Sequence, residues 1–207
     1  MGAWLWLLSA LAAPAAKSNA GAIGSPPACP SSVGALAGID PADSRLDGDH
    51  LIVVMKSARR IMRFRNGALM RTHGRAACWT MGLGPQPVGH KLREGDGKTP
   101  EGWYRTSDKP WSRWYAAIAV HYPNRRDATA AQADGRMTAD QAARTARALA
   151  ADRKPPQTTP VGGEILIHGG GNQADWTLGC IALSNPDIDA LRSTLPPSMV
   201  TDVLILP

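Results

Sequence analysis

The residues best suited to chemistry lie near the carboxyl end of the chain, in the segment EILIHGGGNQADWTLGCIAL at residues 164–183. His168 ends an apolar run, and Cys180 follows twelve residues later, directly after Gly179. A cysteine attacks a carbonyl carbon as the thiolate, so a base within hydrogen-bonding reach must take its proton. Imidazole is the side chain that most often does this. The two residues are therefore a candidate nucleophile and general base.

Other roles for the cysteine remain open on the residues alone. A free cysteine is often a small buried hydrophobic residue, and a histidine at a strand end can be satisfied by the backbone. Zinc needs three or four ligands, whereas His168 and Cys180 supply two, so we expect no metal. The glycines at 169–171 and Gly179 favour catalysis, because glycine leaves space for a ligand beside both side chains.

The composition limits the class of partner. The 207-residue chain carries a formal net charge of +6 at pH 7, which suits an acidic polymer such as nucleic acid, an anionic membrane surface or an anionic cell wall. The basic residues are spread along the chain, and no zinc-finger spacing or nucleic-acid module is present. We therefore expect no nucleic acid as partner.

The first sixteen residues, MGAWLWLLSALAAPAA, form an apolar run followed by small residues. The run is too short to span a bilayer well and is typical of a secretory signal peptide, cleaved after residue 16 or as late as Ala20. No lysine or arginine precedes it, and a buried amino-terminal helix is the alternative. We expect an exported protein of the periplasm or cell envelope, without stable membrane insertion once the signal is removed.

Export affects how the three cysteines are interpreted. In an oxidising compartment, an odd number leaves one thiol without a disulfide partner. We predict that Cys29 pairs with Cys78 in a disulfide and that Cys180 stays free. The alternative is that Cys29 lies in a linker and pairs with nothing.

The elements that position the candidate pair are mostly strands. Residues 17–48 are rich in Gly, Ala, Pro and Ser and predict an irregular lead-in outside the core, followed by a domain at 49–207. A β-branched run at 50–56 opens that domain, and Asn66-Gly67 between two alternating segments predicts a hairpin. Further strand candidates follow at 114–123, 163–168 and 199–206.

Two segments predict helices. Residues 127–152 are alanine-rich, and Thr138 with Gln141 forms a capping box for the part at 139–152. A short helix follows the cysteine, with Asn185 as its cap and proline at its first turn. The predicted fold class is mostly β, with a helical insert and one short helix after the cysteine.

Three segments resemble a known family. The sequence IHGGGNQADWTLGCIALSNPDIDAL at 167–191 looks like the active-site segment of the L,D-transpeptidase catalytic domain, the YkuD-like family of peptidoglycan enzymes. Residues 175–182 match the Asp-Trp-Thr-x-Gly-Cys-Ile-Ala pattern of one branch. KLREGDGKTPEGWYRTSD at 91–108 and HYPNRRD at 121–127 are similar to two further segments of that branch. The resemblance covers about residues 50 to 207 and implies an L,D-transpeptidase-type β-sandwich.

The resemblance implies roles for individual residues. Cys180 is the nucleophile, His168 the general base and acid, and the backbone N–H groups of Gly179 and Cys180 form the oxyanion hole. The candidates for substrate binding are Gly169, Gly170, Asp175, Trp176, Thr177 and Lys98. Two roles remain open for four aromatic residues, lining of a substrate groove or packing alone: Trp103, Trp111, Trp114 and Tyr115.

Two positions depart from the pattern of many family members. Leu178 stands where many have a histidine before the Gly-Cys pair, and Ala182 stands where many have an arginine. The resemblance places that arginine near the substrate carboxylate, and its place is vacant here. The sequence offers Lys98 or Arg125 as the substitute.

The implied reaction needs no cofactor. The thiolate attacks the third residue of a peptidoglycan tetrapeptide stem at its L-centre and releases D-alanine. The thioester then passes to the amine of a second stem in a 3-3 cross-link, or to a lysine of a lipoprotein. A hydrolase of the same fold, an L,D-carboxypeptidase or an amidase acting on stems or wall-linked lipoprotein, is the alternative. A wall-binding module with an inert cysteine is the more distant one.

Overall fold

The fold is built on one mixed β-sheet that curls on itself. A computed structural model describes residues 29–207, so the predicted signal peptide at 1–16 lies outside the described residues. The strands are β1 Leu51–Met55, β2 Arg60–Arg65, β3 Ala68–Leu69, β4 Arg71–Thr72, β5 Arg75–Ala76, β6 Cys78–Thr80, β7 Gly102–Lys109, β8 Ala117–Val120, β9 Leu166–His168, β10 Ile181–Ala182 and β11 Asp202–Leu206.

Nine of these strands form the main sheet, in the order β10-β9-β8-β7-β11-β1-β2-β3, with β6 also paired to β2. The pairs β1–β11 and β9–β10 are parallel, and the other neighbours are antiparallel. Strands β4 and β5 make a separate small hairpin. The turn at Asn66-Gly67 joins β2 to β3 with both residues at positive φ, as the hairpin signal predicts.

The curl comes from a strand that changes partner and from a bridge between the sheet ends. The first half of β7 pairs with β11 and the second half, from Thr106, pairs with β8. Gly82, just after β6, forms two backbone hydrogen bonds of 2.9 Å with Ala182 in β10. The predicted mostly β fold class is confirmed, and the curl brings the cysteine-bearing segment beside the extension of β6.

The sheet is apolar on both faces, because each face is covered. On the inner face, Ile52 of β1 and Val203 of β11 belong to the main core together with residues of β8, β9, β10 and α3. On the outer face, Leu51 and Phe64 pack against the lead-in. This two-sided burial explains why the strands have continuous apolar runs and do not alternate with polar residues.

The lead-in contributes to the core, which corrects the prediction that it stays outside. Residues 29–48 are irregular apart from two short 3-10 helices, Val33–Ala35 and Ser44–Asp47. Val33, Leu36 and Leu46 are nonetheless buried against the outer face of β1 and β2. The composition of the lead-in does not predict this burial, because only a few of its apolar residues are needed to cover an apolar sheet face.

Within residues 29–207, three α-helices lie between strands: α1 Arg125–Ala133, α2 Ala139–Ala150 and α3 Asn185–Arg192. The predicted helical insert is thus two helices separated by a turn at Gly135, and the capping box of Thr138 and Gln141 is present. The cap of α3 is Ser184, whose hydroxyl accepts from the N–H of Asp187, so the prediction of Asn185 as cap is wrong. Nothing in the described part of the chain is a helix long and apolar enough to cross a membrane.

Cys29 and Cys78 form a disulfide in the structure, with their Cα atoms 6.2 Å apart. The bond ties the start of the lead-in to β6 and closes a loop across a separation of 49 residues. It therefore links the covering segment of the outer face to the strand that continues toward Gly82.

Replacing Cys29 and Cys78 together by serine should lower the free energy of unfolding by about 2–4 kcal/mol, because the unfolded chain regains the entropy of an open loop. Urea denaturation with intact wild type as reference measures the change. Mass spectrometry after alkylation, with and without prior reduction, checks the bond itself. Alkylation of both cysteines without reduction would contradict it.

Candidate active site

The two parallel strands β9 and β10 place the histidine and the cysteine on one face of the sheet. His168 lies opposite Ala182, and Cys180 lies just before β10, so the two reactive residues are offset by two positions on neighbouring strands. Since strands are about 4.8 Å apart and residues rise about 3.3 Å each, their Cα atoms are roughly 8 Å apart. Both side chains line one groove of about 900 Å³. The structure therefore brings the predicted pair together.

Small side chains of β8 pack on the same face of the sheet as Cys180. Ala117 and Ala119 alternate with core residues and form a buried cluster with Leu166, against which Cys180 packs. The local sequence AIAV of β8 thus puts its larger side chains, Ile118 and Val120, into the main core.

His168 is buried and held in one orientation. Its Nδ1 donates to the backbone oxygen of Gly169 at 2.5 Å, which leaves Nε2 as the basic nitrogen. The ring of Trp114 stacks on the imidazole at 5.6 Å, and Trp176 meets it edge-on at the same distance. Burial lowers the pKa of His168, and the hydrogen bond to Gly169 opposes this shift. The imidazole is therefore neutral at neutral pH and ready to accept a proton.

The Cys180 thiol is also in its neutral form. Its Sγ lies 3.5 Å from the backbone oxygen of Glu164, to which it donates. Desolvation raises the pKa of Cys180, while a hydrogen bond from the backbone of Leu166 acts in the opposite direction. The resting state is consequently a neutral thiol with a neutral imidazole, and not a thiolate with an imidazolium. Proton removal has to accompany attack.

The backbone around the cysteine is fixed by two threonine hydroxyls. Thr177 Oγ1 accepts from the N–H of Gly179 at 3.2 Å and donates to the backbone oxygen of Cys180 at 2.8 Å. Thr99 Oγ1 donates to the backbone oxygen of Gly179 at 2.9 Å. Gly179 has φ of 125°, and a Cβ there would lie 2.5 Å from the backbone oxygen of Lys98. The N–H that the sequence assigned to an oxyanion hole at Gly179 is thus already bound by Thr177.

The other predicted substrate-binding residues fall into two groups. Trp176 and Thr177 line the groove. Gly169 and Gly170 serve close packing, because a Cβ at Gly169 would lie 2.7 Å from Asn185 Oδ1 and the N–H of Gly170 donates to that oxygen at 2.8 Å. Asn185, which is not the cap of α3, instead holds the glycine turn after the histidine.

Asp175 and Lys98 lie outside the groove lining. The carboxylate of Asp175 pairs with Arg59 at 2.6 Å and accepts from the N–H of Leu83 at 2.8 Å. Arg125, the other candidate for the missing arginine, is the first residue of α1 and does not line the groove either.

Sequence reasoning missed the cations that do line the groove. Lys91 is paired with Asp96 at 2.9 Å, and Lys109 is paired with Glu164 at 3.0 Å. The guanidinium of Arg113 lies 4.8 Å above the ring of Trp114. A signal existed for Arg113, since it stands in the tryptophan-rich loop WSRW directly after β7. Residues 29–207 contain no cluster of three His, Cys, Asp or Glu side chains that could hold a metal.

The sequence profile of the YkuD family, described as L,D-transpeptidase catalytic domain, matches residues 49–205. The chain therefore belongs to the family of L,D-transpeptidase catalytic domains. No curated protein matches it significantly.

Several solved structures are similar in fold. A mutant of the helical cell shape determining protein Pgp2 from Campylobacter jejuni superposes with a TM-score of 0.50 at 23% identity, covering 77% of this chain and 47% of that one. Bd1075 from Bdellovibrio bacteriovorus has a TM-score of 0.46 at 20% identity, with 79% and 50% covered. L,D-transpeptidase 3 from Mycobacterium tuberculosis, in complex with a faropenem-derived adduct, has 0.37 at 12% identity, with 77% and 60% covered. The chain spans about half the length of the first two.

The rate at which iodoacetamide alkylates Cys180 should rise with pH, with a midpoint above the ordinary thiol value of 9.0, because burial raises the pKa of the thiol. Stopped-time mass spectrometry of the intact protein across a pH series measures it. The Cys180→Ser variant, with its other cysteines in the disulfide, is the control and should take up no label. A plateau already present at pH 6 would mean a preformed thiolate–imidazolium pair instead.

Proposed function

We propose that the protein is a peptidoglycan L,D-transpeptidase, an exported cysteine acyltransferase of the periplasm or cell envelope that acts on tetrapeptide stems. The observation that carries the proposal is the placement of Cys180 and His168 in one groove, with Nε2 of the imidazole left free by the bond from Nδ1 to Gly169. Membership of the family supports the reaction class. Cell wall biogenesis and cell shape are the processes that this activity would serve.

In the first half-reaction, the carbonyl carbon of the third stem residue lies above Cys180. His168 Nε2 takes the thiol proton as Sγ bonds to that carbon, which gives a tetrahedral oxyanion. The C–N bond to the terminal D-alanine then breaks, and its amine leaves with the proton from His168. The product is a thioester between Cys180 and the shortened stem. The lowered pKa of His168 suits this return of the proton, because a weakly basic imidazole has a strongly acidic imidazolium form.

We assign the backbone N–H of Cys180 as the first donor to the oxyanion. The N–H of Gly179 serves as a second donor only after Thr177 Oγ1 releases it, since the hydroxyl accepts from that N–H in the resting state. The hydroxyl of Thr177 already donates to the backbone oxygen of Cys180, so the release costs one of its two hydrogen bonds. The oxyanion hole is therefore formed in part by the substrate.

In the second half-reaction an amine attacks the thioester. The amine of a neighbouring stem gives a 3-3 cross-link, and a lysine of a lipoprotein gives an attached lipoprotein. The alternative is an L,D-carboxypeptidase or amidase-type hydrolase, in which water is the acceptor. Trp111 and Leu178 line the groove and are 88% and 79% exposed, so the site is open to either acceptor. The acceptor that arrives first determines the product.

Purified protein incubated with disaccharide-tetrapeptide should release D-alanine and form cross-linked dimers, whereas the Cys180→Ala variant should do neither. Mass spectrometry of the products measures both. Tripeptide without dimers, also after addition of a second amine, would establish the hydrolase. Absence of turnover and of a thioester adduct on Cys180 would contradict the substrate assignment.

We further propose that Arg113 binds the substrate carboxylate in place of the family arginine. Within residues 29–207 it is the groove-lining cation without a carboxylate partner, since Lys91 and Lys109 are both paired. Its guanidinium rests on Trp114, the ring that stacks on the catalytic histidine. A carboxylate bound there lies in the same groove as Cys180.

The Arg113→Gln variant should raise KM about 10–100-fold with little change in kcat, as expected for loss of a hydrogen bond between charged groups. Steady-state release of D-alanine measures both constants. Arg144→Gln on α2, outside the groove, is the matched control and should behave as wild type. Equal KM values for the Arg113 and Arg144 variants would contradict the assignment.

A further inference from the structure

The loop that carries the active-site tryptophan and threonine is docked along its length on the extension of β6. We call residues 172–177 the active-site loop and residues 80–84 the docking segment. At one end, Asn172 Nδ2 donates to both the backbone oxygen and Oγ1 of Thr80 at 2.8 Å. At the other end, the N–H of Thr177 donates to the backbone oxygen of Leu83 at 2.9 Å. The loop is therefore fixed at both ends.

Here the two backbones approach so closely that positions 82 and 84 of the docking segment have no room for a side chain. A Cβ at Gly82 would lie 2.4 Å from the backbone oxygen of Ala174. One at Gly84 would lie 2.9 Å from the backbone oxygen of Thr177 and 2.1 Å from that of Gly97. Gly82 is also the residue that bridges to β10. The position of the active-site loop is thus tied to the closure of the sheet.

An ion pair locks the middle of this contact. Arg59, in the turn between β1 and β2, binds Asp175 at two points, with NH2 to Oδ2 at 2.6 Å and Nε to Oδ1 at 3.2 Å. The same Oδ1 accepts from the N–H of Leu83 at 2.8 Å. The backbone oxygen of Arg59 accepts from the N–H of Met81 at 3.1 Å, and its NH1 donates to the backbone oxygen of Lys56. One arginine therefore connects the turn, the docking segment and the active-site loop.

The two residues that follow Asp175 in the chain connect its position to the groove. Trp176 lies next to it, contacts the ring of His168 edge-on and donates from Nε1 to the backbone oxygen of Gly171 at 3.1 Å. Thr177 follows and braces the backbone at Cys180. Displacement of the carboxylate would therefore move the packing around the base and the support of the nucleophile together.

We propose that Arg59 and Asp175 form a positioning pair, which touches no substrate and sets the placement of Trp176 and Thr177 against His168 and Cys180. The pair is partly exposed, with side-chain accessibilities of 34% and 29%. Exposed ion pairs contribute little to global stability, so its effect is local to the site. The proposal rests on His168 and Cys180 acting as in the proposed function, but its test needs no peptidoglycan.

The test uses the full chain with Arg59→Gln, Asp175→Asn and the reversed pair Arg59→Glu with Asp175→Arg. The asparagine keeps an oxygen for the N–H of Leu83, so this variant loses the charge and retains the hydrogen bond. Arg45→Gln is the matched control, because Arg45 also binds a carboxylate at two points, that of Asp43. It does so on the lead-in, away from the groove.

The first measurement is an NMR titration of the His168 imidazole, assigned by its loss in His168→Gln. In wild type and in Arg45→Gln, His168 should titrate below the ordinary value of 6.5. In Arg59→Gln and Asp175→Asn the midpoint should rise toward 6.5, because a displaced Trp176 admits water to the ring. The reversed pair should restore the lower midpoint in part. The alkylation rate of Cys180 at fixed pH should change several-fold in the same two variants and not in the control.

Two results would overturn the proposal. The first is an unchanged titration of His168 and an unchanged alkylation rate in both single variants. The second is a change that Arg45→Gln produces to the same extent, which would show a general loss of stability. Should Asp175→Asn fail to fold, the Arg59→Gln variant decides alone, since it leaves the loop carboxylate and its hydrogen bond in place. Failure of turnover with stem peptides would bear on the proposed function and not on this pair.

Discussion

The two hydrogen bonds between Gly82 and Ala182 join parts of the sheet that are a hundred residues apart in sequence. They close the curl, and closure is what puts β10 beside the extension of β6. The nucleophile, the loop with Trp176 and the turn with Arg59 all meet at this seam. Glycine is required there, because the neighbouring backbone occupies the volume of a side chain. The closure on which the groove depends is therefore a contact between backbones.

Burial shifts the two reactive groups in a consistent way. It disfavours the charged form of each, which raises the pKa of Cys180 and lowers that of His168. The resting site holds no net charge from the pair, and charge appears only as the thiol proton moves to the imidazole. In the proposed mechanism the groove cations act on a developing negative charge that the resting state lacks. A site of this kind stabilises charge only during the reaction. Its thiol reacts slowly with solutes that gain no binding energy in the groove.

Local signals in the sequence were sufficient for the strand-ending histidine, the glycine-flanked cysteine, the hairpin at Asn66-Gly67 and the capping box of α2. Each depends on residues within about a turn of the chain, where backbone preference and side chain agree. The burial of the lead-in, the bond from Asn185 to Gly170 and the pair of Arg59 with Asp175 depend on contacts across the fold. A motif could mark Asp175 as important, but it could not distinguish a ligand contact from an internal anchor. Arg113 was missed because the tryptophan-rich sequence around it does not show that its guanidinium lies over the ring of Trp114.

The pairing of Cys29 with Cys78 has a consequence for the chemical durability of the nucleophile. In an oxidising compartment a chain with three thiols can form three different internal bonds, and two of them would consume Cys180. Once the native bond exists, no second thiol remains in residues 29–207 to capture the nucleophile. Its neutral form also reacts slowly with disulfides and oxidants, because the thiolate is the form that attacks them. If the protein acts as proposed, Cys180 therefore stays reduced between encounters with substrate.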